Sequence, residues 1–405
     1  MALPLAGVVV VSVEQAVAAP FATRQLADLG ARVIKIERPR RGDFARGYDR
    51  TVRGQSSHFV WLNRAKESVA LDLKHPEAGP VLARLLDRAD VFVQNLAPGA
   101  AARLGLDPAT VRATRPRLIT CEVSGYGRGG PYADRKAYDL LVQAEAGLPA
   151  ITGTPDEPAK AGIAVADIAA GMYAFSGVLA ALLERERTGS GRAVEVSMLD
   201  ALAEWMGYPF YYAAYGGRPP ERTGAAHATI APYGPFTAGD GRSVLLAVQN
   251  DPEWHRFCGA VLGKPELADD PRFATNAQRV AHRAELHAVV DERLVGLSGD
   301  ELVRLLEQAR IAYASMNDVG SLDRHPQLVA RDRIGTVDSP GGPLRALLPP
   351  IVADGWQPRM DPIPEVGEHT EAVLRWAGLG AEDVARLRAS GALSESGGSG
   401  RGGQL

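Results

Sequence analysis

Short apolar runs alternate with amphipathic stretches along the first half of the chain. Val8–Val13 has the continuous apolar character of a strand buried on both faces, Phe21–Leu29 has helical spacing and ends at Gly30, and Arg32–Ile36 is the next strand. The same alternation predicts strands at Ser68–Leu73, Val91–Gln94 and Leu118–Val123, with helices at Gly79–Ala89 and Ala100–Leu104. Repeated strand–helix–strand units predict an α/β fold with a Rossmann-like, doubly wound large domain.

In the second half of the chain, one long predicted helix and a strand are followed by a segment of different composition. That helix is predicted from Ile168 to about Glu186, and Ala193–Met198 then returns to the sheet. Aromatic residues give way to glycine and proline across Tyr208–Pro220, which we interpret as a crossing to a small α+β domain with a strand at Ser243–Val248. A closing helix is predicted at Glu371–Leu387. The predicted boundaries are 1–207 for the large domain, 208–222 for a linker, 223–325 for the small domain, 326–350 for a second linker, 351–393 for a return to the large domain and 394–405 for a flexible Gly/Ser-rich tail.

Composition narrows the class of protein. The 405 residues are 46% hydrophobic with a formal net charge of −3, which supports a large core and gives no bulk attraction to nucleic acid or anionic membranes. The apolar run at the start stops at Glu14 without a basic region before it, and we expect no segment long and apolar enough to span a membrane. Cys121 and Cys258, the two cysteines, exclude a disulfide framework and favour a reducing, cytoplasmic location.

Asp167 is a lone acid in the apolar segment Ala161–Phe175. It could be the N-cap of the helix predicted from Ile168, because Asp is a favoured N-cap. It could also be a nucleophilic or proton-transferring carboxylate, stabilised by the free N–H groups of a helix N-terminus. Spacing alone leaves both readings open, and both can hold at once.

Several common chemistries are disfavoured. Glu37 follows the second strand as a ribose-binding acid would, but the turn Ser12–Pro20 has no glycine, which disfavours a dinucleotide site. His282 and His287 are the one close histidine pair and lie on a charged segment, so we predict no metal site. By contrast, a glycine-rich loop follows the strand Leu118–Val123, and cations suited to a phosphate-rich ligand stand at predicted element ends: Arg38, Lys74, Arg103 and Lys136.

Taken together, a set of short motifs resembles the class III CoA-transferases, the group of the crotonobetainyl-CoA and formyl-CoA transferases. The resemblance spans nearly the whole chain. The motifs are Arg32–Pro39, Gly42-Asp43, Leu71–Lys74, Asn95–Gly99, Gly125–Gly127, Lys136–Asp139, Ala166-Asp167, Thr188–Arg192 and Gly367–Thr370.

The resemblance implies a site, a substrate and an assembly. Asp167 matches the family's nucleophilic aspartate, and coenzyme A thioesters are substrates with no tightly bound cofactor. The family's fold is an interlocked homodimer, so a second copy of this chain is the implied partner. The positions that match its coenzyme A and thioester contacts are Gln15, Ala16, Val17, Arg38, Leu71, Lys74, Asn95, Arg103, Lys136, Tyr138 and Asp139.

The implied mechanism is stepwise. Asp167 attacks the donor acyl-CoA to give a mixed anhydride and CoA thiolate, and the thiolate then forms an aspartyl-CoA thioester and frees the donor acid. An acceptor carboxylate repeats these steps in reverse. Backbone N–H groups near Gly125 and Gly127, or at the helix start around Ile168, are candidate oxyanion donors.

Two alternatives and the substrate remain open. The family includes α-methylacyl-CoA racemases, in which Asp167 would be a base, but Tyr138 stands where those enzymes have a histidine. A non-catalytic CoA-binding dimer is the remote alternative. The segments Glu14–Pro20, Gly42–Tyr48 and Ser57–Asn63 look most like members that use succinyl-CoA with C4–C5 dicarboxylates such as itaconate, mesaconate, citramalate or glutarate. Arg46 and His227 are candidates for binding a second substrate carboxylate.

Overall fold

A computed structural model describes residues 2–393, which divide into two compact units. The first unit contains residues 2–146, 162–206 and 326–393, and the second contains residues 147–161 and 207–325. Residues 147–161 thus group with the second unit and not, as predicted from the sequence, with the large domain. Residues 326–350, predicted as a linker, group with the first unit. The predicted tail, 394–405, lies outside the described residues.

The strands predicted for the parallel sheet appear in the predicted order, and the structure adds strands and helices that the periodicity did not predict. The strands are β1 Val9–Val13, β2 Arg32–Glu37, β3 Lys66–Ala70, β4 Val91–Gln94, β5 Ile119–Ser124, β6 Ala193–Ser197, β7 Tyr233–Thr237, β8 Ser243–Ala247, β9 Ala312–Ser315, β10 Ile334–Val337 and β11 Leu344–Leu347. The α-helices are α1 Ala18–Asp28, α2 Ser57–Leu62, α3 Ala78–Leu86, α4 Ala100–Arg103, α5 Pro108–Ala113, α6 Asp139–Glu145, α7 Leu148–Ile151, α8 Val165–Thr188, α9 Met198–Trp205, α10 Gly207–Gly216, α11 Asp251–Arg256, α12 Asn276–Ala281, α13 Arg283–Leu294, α14 Gly299–Ala309, α15 Pro326–Ala330, α16 Thr370–Trp376 and α17 Ala381–Ala389.

The first unit is built on a six-stranded parallel sheet with the order β3-β2-β1-β4-β5-β6. The predicted α/β class is confirmed. This order reverses direction between β1 and β4, so a crevice opens there at the carboxyl ends of the strands. Strand β3 begins at Lys66, two residues before the predicted start, because Lys66 is buried and neutralised by Glu14, which a hydrophobicity pattern does not detect.

Helix α8 packs along α1 over one face of this sheet. The two helices approach closely at Gly171, where a Cβ atom would lie 2.7 Å from the carbonyl oxygen of Ala18. By length and composition α8 could span a membrane, contrary to the expectation from sequence. Half of its apolar window is buried inside the unit, however, which is typical of a core helix of a globular domain.

The chain beyond residue 326 differs from its prediction in two places. The segment predicted as a linker contains the antiparallel hairpin β10–β11. The single closing helix predicted over Glu371–Leu387 is two helices, α16 and α17, because Gly378 adopts a positive φ of 86° and ends the first. The last described residue, Leu393, bridges to Leu71 just past β3.

The second unit has a three-stranded antiparallel sheet, β7-β8-β9, packed on helices around Trp254 and Phe257. Its helix α10 occupies most of the predicted crossing Tyr208–Pro220. The helix can form because no glycine or proline occurs between Phe210 and Tyr215, and Pro209 lies in the first turn, where a proline is tolerated. The side chains of Tyr208, Phe210, Tyr211 and Tyr215 are exposed on the protomer.

Candidate active site

Asp167 lies in the first turn of α8, three residues after its N-cap residue, Ala164. The prediction that Asp167 caps this helix is wrong. The capping carboxylate belongs to Asp139, at the start of α6, whose Oδ1 accepts the backbone N–H groups of Ala166 at 2.8 Å and Asp167 at 3.3 Å. The N–H of Ile168 donates to the Ala164 carbonyl, so the helix start offers no free oxyanion donor at these residues.

The Asp167 carboxyl group is half-buried and electrostatically unusual. Burial raises its pKa to about 7, and the neighbouring Asp139 carboxylate adds to the rise. The backbone of Ala18, at the N-terminus of α1, opposes this rise and lowers the pKa of Asp167. Tyr48 completes the surroundings: burial, Asp43 and Asp167 together raise the pKa of its phenol to about 12. The site therefore holds a carboxylate that is poorly hydrated and easily protonated.

The loop between β1 and α1 approaches Asp167 and is held by two side chains. Asn95, after β4, accepts the N–H of Gln15 at 2.9 Å and donates to the Gln15 carbonyl at 2.8 Å. Asp43 accepts the N–H of Ala16 at 3.1 Å. Ala16 has a φ of 64°, a left-handed conformation that is unfavourable for a residue with a Cβ.

A buried ionic cluster lies beneath this loop. Lys35 Nζ is 2.7 Å from Asp43 and 3.6 Å from Glu14, and Lys66 Nζ is 2.7 Å from Glu14. All four side chains are almost fully buried. Burial alone would lower the pKa of Lys35, but Asp43, Glu14 and Glu37 outweigh it and raise that pKa, so the ammonium stays charged. Burial dominates at Lys66 and lowers its pKa to about 8.

A cavity of about 790 Å³ opens at the carboxyl ends of β1 to β4, where the sheet order predicts a crevice. Among the predicted coenzyme A contacts, Gln15, Arg38, Leu71 and Lys74 line it. Arg38 also donates to the Gln15 side chain at 3.3 Å. A volume of this size with a cationic rim suits a phosphate-bearing ligand.

Three cations that line the cavity were missed from the sequence: Arg40, Arg41 and Arg388. Arg40 and Arg41 continue the basic run that starts at Arg38, so a count of charge after β2 could have found them. Nothing local signals Arg388, which α17 brings in from the far end of the chain.

The remaining predicted contacts lie elsewhere in the first unit. Ala16 and Val17 form the loop over Asp167, and Arg103 ends α4, whose first residue lines the cavity. Lys136 is exposed in the segment before α6, Tyr138 is 63% exposed, and Asp139 caps α8. Most of the predicted contacts therefore lie at the cavity or around Asp167, whereas Arg103 and Lys136 do not line the cavity themselves.

The structure argues against Arg46 as a substrate cation. Its guanidinium makes two hydrogen bonds to buried Glu37, at 2.8 and 2.9 Å, and lies 3.6 Å over the Phe59 ring. Burial would raise the pKa of Glu37, but Arg46 and Lys35 hold it at about 2. Arg46 is thus committed to neutralising a buried acid.

The other predicted substrate contacts also have structural partners. Gly125 is needed for packing, since a Cβ would lie 2.1 Å from that of Ala137. The N–H of Gly127 donates to Ser124 Oγ at 3.0 Å and is not a free oxyanion donor. His227 lies in the second unit, stacked on Tyr233, and burial together with Arg283 lowers its pKa. It is therefore neutral near pH 7.

Comparison with known proteins identifies the family of this chain. The sequence model of CoA-transferase family III matches residues 5–370. A succinate–glutarate CoA-transferase of Agrobacterium fabrum is 35% identical over 381 residues, 92% of this chain and 95% of the relative. An acetyl-CoA:oxalate CoA-transferase of Acetobacter aceti is 35% identical over 84% of this chain and 89% of its own length.

Solved structures of similar proteins also match this chain over most of its length. A CAIB/BAIF family protein from Brucella suis is 34% identical and superposes with a TM-score of 0.79, covering 93% of this chain and all of its own. A hypothetical protein from Mycobacterium tuberculosis is 30% identical with a TM-score of 0.81, covering 92% of this chain and 99% of its own. Because the family match extends over most of the sequence, this chain belongs to CoA-transferase family III.

Proposed function

We propose that this CoA-transferase moves coenzyme A from succinyl-CoA to a C4–C5 dicarboxylate, through covalent intermediates on Asp167. The observation that carries the proposal is the half-buried carboxyl of Asp167, in the first turn of α8, whose pKa is raised to about 7. A carboxylate stripped of hydration is a stronger nucleophile than one in water, and near neutral pH a large share of it remains ionised.

The proposed reaction balances at each step. The Asp167 carboxylate attacks the thioester carbonyl, the C–S bond breaks, and a mixed anhydride and CoA thiolate form. The thiolate attacks the aspartyl carbonyl of the anhydride and releases the donor acid. The acceptor carboxylate then attacks the aspartyl-CoA thioester, and the returning thiolate takes the acceptor acyl group and restores Asp167. The N–H groups at the start of α1 replace the Gly127 loop as our candidate oxyanion donors, because Ala18 already acts on the carboxylate.

The acid substrates are proposed from relatives. Besides the Agrobacterium enzyme, a human succinyl-CoA:glutarate CoA-transferase is 31% identical over 92% of this chain, and a succinyl-CoA–D-citramalate CoA-transferase of Chloroflexus aurantiacus is 31% identical over 95%. These names support succinyl-CoA as donor and glutarate or citramalate as acceptor. Because the Acetobacter aceti relative is an acetyl-CoA:oxalate CoA-transferase, oxalate should be tested as an acceptor alongside these acids.

We also propose that the enzyme acts as a homodimer in the cytoplasm. Helix α10 presents Tyr208, Phe210, Tyr211 and Tyr215 to solvent on the protomer, and Tyr215 is 84% exposed. An aromatic patch of this kind is typical of a protein interface. The interlocked arrangement comes from the family resemblance. Light scattering of the purified enzyme at twice the protomer mass would support the dimer, and a monomer at micromolar concentration would contradict it.

An oxygen-labelling experiment tests the proposed chemistry. The wild-type enzyme turns over succinyl-CoA with glutarate whose carboxylates carry ¹⁸O, and the peptide containing Asp167 is analysed by mass spectrometry. Transfer of an acceptor oxygen to Asp167 is expected, because that oxygen bridges the anhydride when the thiolate attacks. Turnover without label in this peptide would exclude the aspartyl anhydride. Deuterium entry at the α-carbon of an α-methylacyl-CoA without any acceptor acid would instead favour a racemase.

A further inference from the structure

Asp43 connects the buried ionic cluster to the loop that faces Asp167. One carboxylate oxygen, Oδ1, accepts the N–H groups of Ala16 at 3.1 Å and Ala45 at 2.9 Å. The other oxygen, Oδ2, accepts from Lys35 Nζ at 2.7 Å. The backbone N–H of Asp43 itself donates to Glu37 at 2.8 Å. The side chain is buried, and both its oxygens are occupied, so its position is fixed by the sheet below and by its own turn.

The bond to Ala16 acts on a strained residue. The left-handed conformation is unfavourable for alanine, and it persists only where the surroundings hold it. Ala16 has a φ of 64°, and α1 begins two residues later at Ala18. The conformation of Ala16 therefore determines the direction in which the first N–H groups of α1 point. This end of α1 packs beside Asp167, because Ala16 and Val17 share one apolar cluster with Ala164 and Ile168 of the α8 start. The Ala18 backbone in turn lowers the pKa of Asp167.

We propose that Asp43 is a positioning residue for CoA transfer: by holding Ala16 in the left-handed conformation, it aims the first N–H groups of α1 at Asp167 and at the anhydride formed on it. This rests on the proposed role of Asp167 as nucleophile. Asp43 does not contact the reacting atoms. It acts through two residues of backbone, and Lys35 holds the Asp43 side chain in place through the contact at 2.7 Å.

Asp43 could affect Asp167 through geometry or through its charge, and the two explanations predict opposite shifts in the pKa of Asp167 when Asp43 is removed. Asp43 faces Lys35, Glu37 and Tyr48, with Glu14 and Lys66 in the cluster behind them, and Asp167 faces Asp139 and Tyr48. If Asp43 acts through geometry, removing it withdraws the Ala18 N–H and raises the pKa of Asp167. If it acts only as a nearby negative charge, removing it lowers that pKa.

The first test is Asp43→Asn, which keeps the size but offers one acceptor oxygen in place of two. We expect kcat to fall by about 10- to 100-fold, the range for a misaligned site, with a change of less than about threefold in KM for succinyl-CoA. The acidic limb of the kcat–pH profile should move to higher pH. An unmoved limb, or one that moves to lower pH, would overturn the proposal. Asp107→Asn is the matched control, because Asp107 also accepts a backbone N–H, at the exposed N-cap of α5.

The second test separates positioning from a merely structural role. Glycine adopts the left-handed conformation without cost, so Asp43→Asn combined with Ala16→Gly should recover part of the lost kcat. No recovery would overturn the proposal. If Asp43→Asn fails to fold, Ala16→Val leaves the ionic cluster intact and strains the same residue. It should lower kcat and move the acidic limb upward, and wild-type values would refute the idea. Full activity of Asp167→Asn would instead refute the underlying function.

Discussion

Replacing Asp167 by asparagine should abolish activity and yet stabilise the protein at alkaline pH. The pKa of this carboxyl is raised from 3.8 to about 7 in the folded protein. A folded-state pKa above the unfolded value means that stability is fully present below pH ~3.8 and is lost as pH rises through about 7. Each pKa unit corresponds to ~1.4 kcal/mol, which sets an upper limit of about 4 kcal/mol for the full shift. Because the side chain is half-buried and partly screened, we expect about 3 kcal/mol in all, of which about 1–2 kcal/mol is lost between pH 5 and pH 8.5.

The assay is urea unfolding of wild type and Asp167→Asn at pH 5 and pH 8.5. The asparagine variant does not ionise, so its free energy of unfolding relative to wild type should increase by about 1–2 kcal/mol between the two pH values. Its kcat should fall by about 1,000-fold or more. Asp107→Asn is again the control: the pKa of Asp107 is lowered by hydrogen bonds from Thr110, so it stays ionised at both pH values. A relative stability of Asp167→Asn that does not vary with pH would refute the raised pKa.

Three further substitutions probe the surroundings of the site. Gly171→Ala should lower both stability and kcat, because the new Cβ would lie 2.7 Å from the Ala18 carbonyl oxygen, and this clash outweighs the better helix propensity of alanine. The control is Gly79→Ala in α3, where the Cβ has open space; thermal unfolding should show it to be neutral or stabilising. Arg388→Ala should raise KM for succinyl-CoA by roughly 3- to 10-fold in steady-state kinetics with kcat retained, and an unchanged KM would remove it from the site. Arg46→Ala should cost about 3–5 kcal/mol in urea unfolding by leaving Glu37 unpaired, and a stable variant with altered acid preference would restore Arg46 as a substrate contact.

Local pattern predicted much of the fold. The strands of the parallel sheet are short apolar runs, and β1 and β4 were located to within a residue because buried parallel strands are almost purely apolar. The start of β3 was missed because charge is buried there. Lys66 begins β3 inside the core, and no periodicity shows that Glu14 neutralises it from 52 residues away.

The functional site was also predicted only in part. Asp167 stood out from the sequence because an acid is rare in an apolar segment, and the cations after β2 and β3 stood out because parallel strands end at one edge of the sheet. The sequence could not show that Asp139 caps α8, that Arg46 forms an ion pair with Glu37, or that Arg388 of α17 lines the cavity. Each of these pairs joins elements that are separate along the chain.

The sequence by itself determined the α/β class, the order of the elements and the isolated acid, because these depend on the spacing of apolar residues and on residue type. Only the tertiary structure decided the chemical state of that acid. Its pKa depends on burial, on the charge of Asp139 and on the backbone of Ala18, which are brought together from separate parts of the chain. Desolvation and hydrogen-bond direction are properties of packed neighbours, so they exist only once the chain has folded.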